Sequence, residues 1–147
     1  MSLTSSRKKY VLANGMKIVH EHRFDQNCSM FSLYLNTGSA LENKKQKGIA
    51  HLVEHLMFKS TNKMSAIEIS KELEKYGAVV NAATSFDSIV FHFKVLNEYF
   101  TKCLSLFSDM LLNKNITQAE FETEKAIVLQ ELGMYEDYPE DKCQNAH

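Results

Sequence analysis

The chain has 147 residues, 44% of them hydrophobic and 24% charged, an ordinary globular balance that argues against disorder and is enough for one domain with a core or a large fragment of a bigger one. Lys and Arg number 17 against 18 Asp and Glu, so the net charge is −1, which argues against nucleic-acid binding by bulk charge. One Pro and five Gly exclude a collagen-like or Pro-rich chain, and no stretch approaches the ~20 apolar residues of a membrane span.

Residues 1–10 (MSLTSSRKKY) carry two lysines and an arginine, with no apolar run behind them of the length a secretory signal needs. Residues 10–22 hold two β-type runs around Asn14-Gly15, the strongest short hairpin signal. Residues 29–37 alternate, with Phe31, Leu33 and Leu35 on one face, as in a half-buried strand. Residues 38–48 form a polar loop. From 49 to 59 the apolar period becomes helical through Ile49, Leu52, Val53 and Leu56. A second helix is expected over 65–76, with Ser65 and Glu68 as a capping box and Gly77 as its stop. Residues 78–96 are two strands or one long bent one, with Ile89, Phe91 and Phe93 on one face. A third helix spans 98–112, and Thr117 with Glu120 caps a fourth that runs to about 135, before Pro139. Strands and helices come in blocks, which predicts an α+β fold over residues 1–147 as a single domain: an antiparallel sheet with helices packed on one face. Cys28, Cys103 and Cys143 are odd in number with no CxxC spacing, so reduced thiols in a cytoplasmic protein are expected.

The stretch His51-Leu52-Val53-Glu54-His55 carries the chemistry. His51 and His55 lie four apart on a helix, so both imidazoles leave one face and can grip one Zn²⁺. Glu54 shares that side, where a carboxylate can take a proton from water. The order H-x-x-E-H is that of the inverzincins, the reverse of H-E-x-x-H. By itself it is also compatible with a helix bearing two half-buried histidines. A third ligand is needed, and Glu131 on the fourth helix is the candidate. Glu124 stands two turns before it on the same face, with Val128 between. Taken alone, these glutamates read equally as a solvated acidic helix.

Several separately spaced segments, in order, give the chain a wider likeness. Leu12-Ala13-Asn14-Gly15-Met16-Lys17-Ile18, Gly38-Ser39, Glu42, Gly48-Ile49-Ala50, the pentapeptide His51–His55, Met57-Phe58-Lys59, Asn81-Ala82 with Thr84, and Glu124, Glu131, Met134-Tyr135-Glu136-Asp137 and Pro139 together resemble the N-terminal region of the pitrilysin/insulinase-type zinc peptidases, closest to the processing-peptidase branch. The resemblance implies a zinc-dependent endopeptidase domain with its zinc site between two helices. His51, His55 and Glu131 would ligate the ion, Glu54 would be the general base, and Glu124 an accessory carboxylate. It also implies that residues 79–85, with Asn81, Ala82 and Thr84, form an edge strand beside the zinc that binds a peptide or unfolded-protein substrate by strand addition. An internal strand paired on both sides is the alternative. A non-catalytic, partner-binding subunit is the other function the family allows, although such members lose part of the zinc motif and all four positions stand here.

Two departures matter. Ser60 replaces the usual Gly after Phe-Lys, so the backbone there is expected to differ slightly. Family enzymes are several times longer and close around substrate with related domains. The resemblance therefore implies an incomplete N-terminal domain, awaiting a C-terminal half or second subunit, weak in cleavage alone and prone to self-association through an unpaired edge, as in a homo-oligomer. His20 and His22 alternate on one strand and form either a chelating pair or a polar strand face. His92 is expected to face outward, and Phe31, Tyr34, Phe86, Phe91, Phe93, Phe100 and Phe107 to fill the core or a sheet face.

Overall fold

The computed structural model describes residues 5–137. Pro139, Cys143 and the end of the acidic stretch 131–141 lie outside them. The elements are β1 (Ser5–Val11), β2 (Lys17–Arg23), β3 (Cys28–Leu35), α1 (Ile49–Leu56), α2 (Ala66–Lys75), β4 (Val79–Thr84), β5 (Ile89–Leu96), α3 (Phe100–Leu112) and α4 (Gln118–Asp137). Short 3-10 turns stand at Ser39–Leu41 and Asn97–Tyr99. The fold is α+β with antiparallel pairing throughout the described strands.

Strands β3, β5 and β4 form a three-stranded sheet in that order, so β5 is central and β4 is an edge among the described residues. The period-2 alternation puts Ile89, Phe91, Phe93 and Val95 of β5 on the buried face. The register sets Phe31 and Val80 on either side of Phe93, and Leu33 and Ala82 on either side of Phe91. Helices α2 and α3 close over that face with Ile69, Leu73, Cys103, Phe107 and Met110. The rings of Phe31, Phe93 and Phe107 meet at 5.4–5.5 Å between centroids. Full burial of the Phe93 and Phe107 rings contributes about 1.5–3 kcal/mol each of transfer free energy.

The helix ends follow their caps. Ser65 and Glu68 exchange bonds in a capping box at the start of α2, and Thr117 and Glu120 do the same at α4. The third helix begins at Phe100 rather than 98, because Asn97 is tied to the strand side: its side-chain Nδ2 donates to the Gln26 carbonyl, and Ser29 Oγ donates to its Oδ1.

The hairpin differs from expectation. β1 starts at Ser5, earlier than the apolar run, and pairs with β2 from Ser5↔Arg23 to Val11↔Lys17 as a separate two-stranded sheet. Every residue of both strands is exposed. Arg7, Lys8, Lys9, His20, Glu21 and His22 occupy both faces, so neither face can be buried against the helices. Phe86 is a second correction: it sits in the β4–β5 turn, 69% exposed, and fills neither core nor sheet face. Tyr34 lies on the outer face of β3, opposite the core.

Candidate metal centre

Helix α1 is only eight residues long, too short to persist by itself, so its ends must be held from outside. At its start, Gly48 takes φ +89° and lies against α4: a Cβ there would meet Leu132 Cδ1 at 2.6 Å. Glu42 supplies the missing cap from the preceding loop. Its Oε2 accepts from the Gly48 amide at 2.8 Å and its Oε1 from the Ala50 amide at 2.7 Å. A carboxylate at a helix N-terminus both satisfies orphan N–H groups and complements the dipole. The loop carrying Glu42 is anchored by Ser39 and Ala40 amides donating to the Ser85 and Phe86 carbonyls of the β4–β5 turn. Gly38 permits this approach, since a Cβ would come within 2.4 Å of the Ser85 oxygen.

At the other end, α1 stops at Leu56 instead of 59. The chain tightens into bonds from Phe58 and Lys59 amides to the His55 and Leu56 carbonyls. Lys114 Nζ donates to the Met57 and Lys59 carbonyls there. Burial lowers the Lys114 pKa to about 8, with the Glu120 carboxylate opposing the shift. Ser60, in place of glycine, needs no left-handed backbone, since no described non-glycine residue has positive φ. Its hydroxyl and amide instead donate to Glu120 Oε1 at 2.5 and 3.2 Å. The Ser60 hydroxyl is the main cause that holds the Glu120 pKa down at about 2. This latch joins the segment after α1 to the start of α4.

With α1 and α4 fixed against each other, three ligand-type atoms converge. His51 Nε2 and His55 Nε2 are 3.1 Å apart, His51 Nε2 and Glu131 Oε2 3.4 Å, and His55 Nε2 and Glu131 Oε2 3.8 Å. The imidazoles are nearly perpendicular at 83°, which lets both Nε2 atoms point to one spot. Tetrahedral Zn²⁺ with bonds of about 2.0–2.2 Å spaces its ligands about 3.3–3.6 Å apart. The three edges bracket that value. Two imidazoles and a carboxylate also match the donor set of an open-sided zinc site.

The surroundings fix how the donors present themselves. Glu124 is buried, and its Oε2 lies 3.0 Å from His55 Nδ1 while its Oε1 lies 2.7 Å from Lys59 Nζ. Burial pushes the Glu124 carboxyl up, but the Lys59 ammonium and the His55 bond outweigh it and the net pKa is lowered. A carboxylate only accepts, so a neutral His55 carries its proton on Nδ1 and turns the Nε2 lone pair toward the cluster. Glu54 lies on the β4 side, where Thr84 Oγ1 donates to its Oε2 at 2.5 Å. Thr84 therefore spends its side chain on Glu54. Asn81 Oδ1 accepts from the Ala82 amide at 2.9 Å on the edge strand.

The structure thus brings together His51, His55 and Glu131, sets Glu124 behind His55, and ties Glu54 to β4. His20 and His22, with ring centroids 6.2 Å apart, stand on the exposed hairpin; among the described residues the cluster of metal-ligating type is His51, His55 and Glu131. Glu42, Lys59 and Lys114 escaped a role in sequence reasoning. Glu42 caps across a span twice that of a capping box, and the two lysines act only through tertiary contacts, so no local spacing marks them.

The family model described as Insulinase (Peptidase family M16) matches residues 17–147. The chain belongs to this family. An uncharacterized zinc protease of Bacillus subtilis, YmxG, is 35% identical over 91% of this chain and 33% of its own length. The mitochondrial-processing peptidase subunit beta of Rattus norvegicus is 32% identical over 82% of this chain and 24% of its own. The crystal structure of a protease from Helicobacter pylori superposes with a TM-score of 0.79 at 32% identity, covering 86% of this chain and 30% of that one. The M16 chain described here thus spans about a quarter to a third of these relatives' length.

Proposed function

We propose that this chain carries the metal-binding and catalytic residues of a zinc-dependent endopeptidase. The triangle of His51, His55 and Glu131 donors carries the reading, at separations of 3.1–3.8 Å. Zn²⁺ held there would polarise a peptide carbonyl and lower the pKa of water from 15.7 toward ~7. The chain's own groups do the rest. Glu54 accepts the proton of the attacking water and hands it to the leaving amine. Thr84 steadies Glu54 from the strand side. Glu124 keeps the His55 proton on Nδ1. The edge that β4 forms among the described residues takes the substrate as an added strand, and an incoming carbonyl would take over the Ala82 N–H from Asn81 Oδ1. Main-chain pairing of this kind suits peptide or unfolded-protein substrates of varied sequence.

The rest of a longer protein, or a second subunit, would complete the substrate chamber. Apolar side chains left on the surface support this: Val11 and Val19 on the hairpin, Met30, Tyr34 and Val79 on the outer sheet face. The isolated chain is then expected to bind zinc, cleave weakly and self-associate. Metal analysis of purified protein with and without His51→Ala tests the site: the wild type should hold close to one Zn²⁺ and the variant should lose it. Glu54→Gln should keep zinc and abolish whatever cleavage the chain, or a longer form, shows. Equal zinc in wild type and His51→Ala would refute the site, and full cleavage by Glu54→Gln would refute the base.

A further inference from the structure

Behind the ligands lies a connection with no partner in sequence. Lys59 Nζ sits 2.7 Å from Glu124 Oε1, and the other oxygen of that carboxylate sits 3.0 Å from His55 Nδ1. Glu124 is 7% exposed and the Lys59 side chain about a quarter exposed, so water competes little for the carboxylate. The lysine itself is held in place. It stands in the turn just after α1, its amide donates to the Leu56 carbonyl, and its own carbonyl accepts from Lys114 Nζ at 3.1 Å. Lys114 in turn enters from the α3–α4 corner, beside the Thr61↔Lys114 bridge and the Asn115 amide donating to the Ser60 carbonyl.

We propose that Lys59 is a positioning residue for the metal site, acting through Glu124 to fix the tautomer of His55. This rests on the zinc-site reading above. A neutral imidazole has one N–H and one lone pair, and which nitrogen carries which depends on what the N–H can donate to. Glu124 has two oxygens and can rotate. With Oε1 pinned to the ammonium, Oε2 faces Nδ1 and the lone pair stays on Nε2, facing His51 and Glu131. Without the ammonium, Oε1 loses the charged donor that holds it, the carboxylate is no longer fixed with Oε2 facing Nδ1, and Nδ1 loses a fixed acceptor. The Nε2–H form, which presents a proton to the metal, then becomes populated. Lys59 contributes no ligand atom. It determines whether His55 offers a free lone pair.

The experiment reads tautomer and affinity separately. Long-range ¹H–¹⁵N correlation of the metal-free protein reports which nitrogen of His55 is protonated, and competition against a chromophoric chelator gives the Zn²⁺ dissociation constant. Wild type should show Nδ1–H. Lys59→Met should shift His55 toward Nε2–H and weaken Zn²⁺ by roughly 10- to 100-fold, the range of outer-shell losses. Lys59→Arg, which can still donate to Oε1, should restore both to near wild type. Lys59→Leu, which also lacks any donor to Oε1, provides the same comparison if Lys59→Met fails to fold. An unchanged His55 tautomer in both Lys59→Met and Lys59→Leu would overturn the proposal, as would Zn²⁺ affinity within about twofold of wild type. The tautomer is read without metal, so a wild type that binds no zinc would sink the zinc-site reading while leaving the Lys59 result decided.

Discussion

Removing the Glu42 carboxylate tests whether α1 depends on its borrowed cap. In Glu42→Ala, the amides of Gly48 and Ala50 lose acceptors at 2.8 and 2.7 Å. Ala50 is buried in the core cluster, so water replaces its partner poorly. A hydrogen bond to a charged group contributes about 1.5–3 kcal/mol and a lost N-cap costs about 0.5–2 kcal/mol. The two bonds share one carboxylate and are not independent, so we expect a total near 2–3 kcal/mol rather than their sum. For a chain of this size that is a fall in Tm of roughly 4–12 °C. Urea denaturation followed by circular dichroism measures it, with Glu42→Gln as comparison. The amide can still accept from one N–H but has no charge, so it should recover about half of the loss. Because α1 carries both histidines, Zn²⁺ affinity should fall alongside stability. A Glu42→Ala variant within about 0.5 kcal/mol of wild type would refute the reasoning, since that is the spread of an ordinary surface substitution.

Acid titration of stability should show the Glu120 latch. Its folded pKa of about 2 is below the ordinary value of 4.5, so it stabilises the fold above about pH 4.5 and that stabilisation is lost as pH falls toward 2. Glu120→Gln should flatten the slope of urea midpoint against pH in that window; an unchanged slope would count against the latch. Ser60→Gly should cost about 1.5–3 kcal/mol through loss of the hydroxyl bond to the charged Glu120 carboxylate, read as a lowered urea midpoint. Gly48→Ala should destabilise by about 1–2 kcal/mol because its backbone lies at φ +89°, and a stability gain there would contradict the left-handed geometry. Thr84→Val should leave zinc binding within twofold by chelator competition, since the hydroxyl donates to Glu54 and not to a ligand; loss of zinc would place Thr84 in the metal site instead.

Local patterns in the chain specified local structure. Ser65 with Glu68, and Thr117 with Glu120, are capping pairs three residues apart, and both helices start where those residues stand. The alternation through Phe31, Leu33 and Leu35, and through Ile89, Phe91 and Phe93, fixed which face of each strand is buried. The spacing of His51 and His55 put two imidazoles on one helical face. All of these depend on residues within one or two turns of each other, where backbone periodicity alone decides who is a neighbour.

What the tertiary structure decided are the meetings between distant segments. Whether the acidic face of α4 was solvated or turned inward could not be read from its own residues; the packing of α1 against α4 settled it by bringing Glu131 Oε2 to 3.4 Å from His51 and burying Glu124 behind His55. The same holds for Lys59, Lys114 and Glu42, whose partners are helix ends and side chains supplied by other elements. The hairpin remained apart because charges occupy both its faces, which no turn signal reveals. Periodicity states which face a segment would bury. Which partner that face meets is set by the packing of the whole chain, and the chemistry of this site lies at one such meeting.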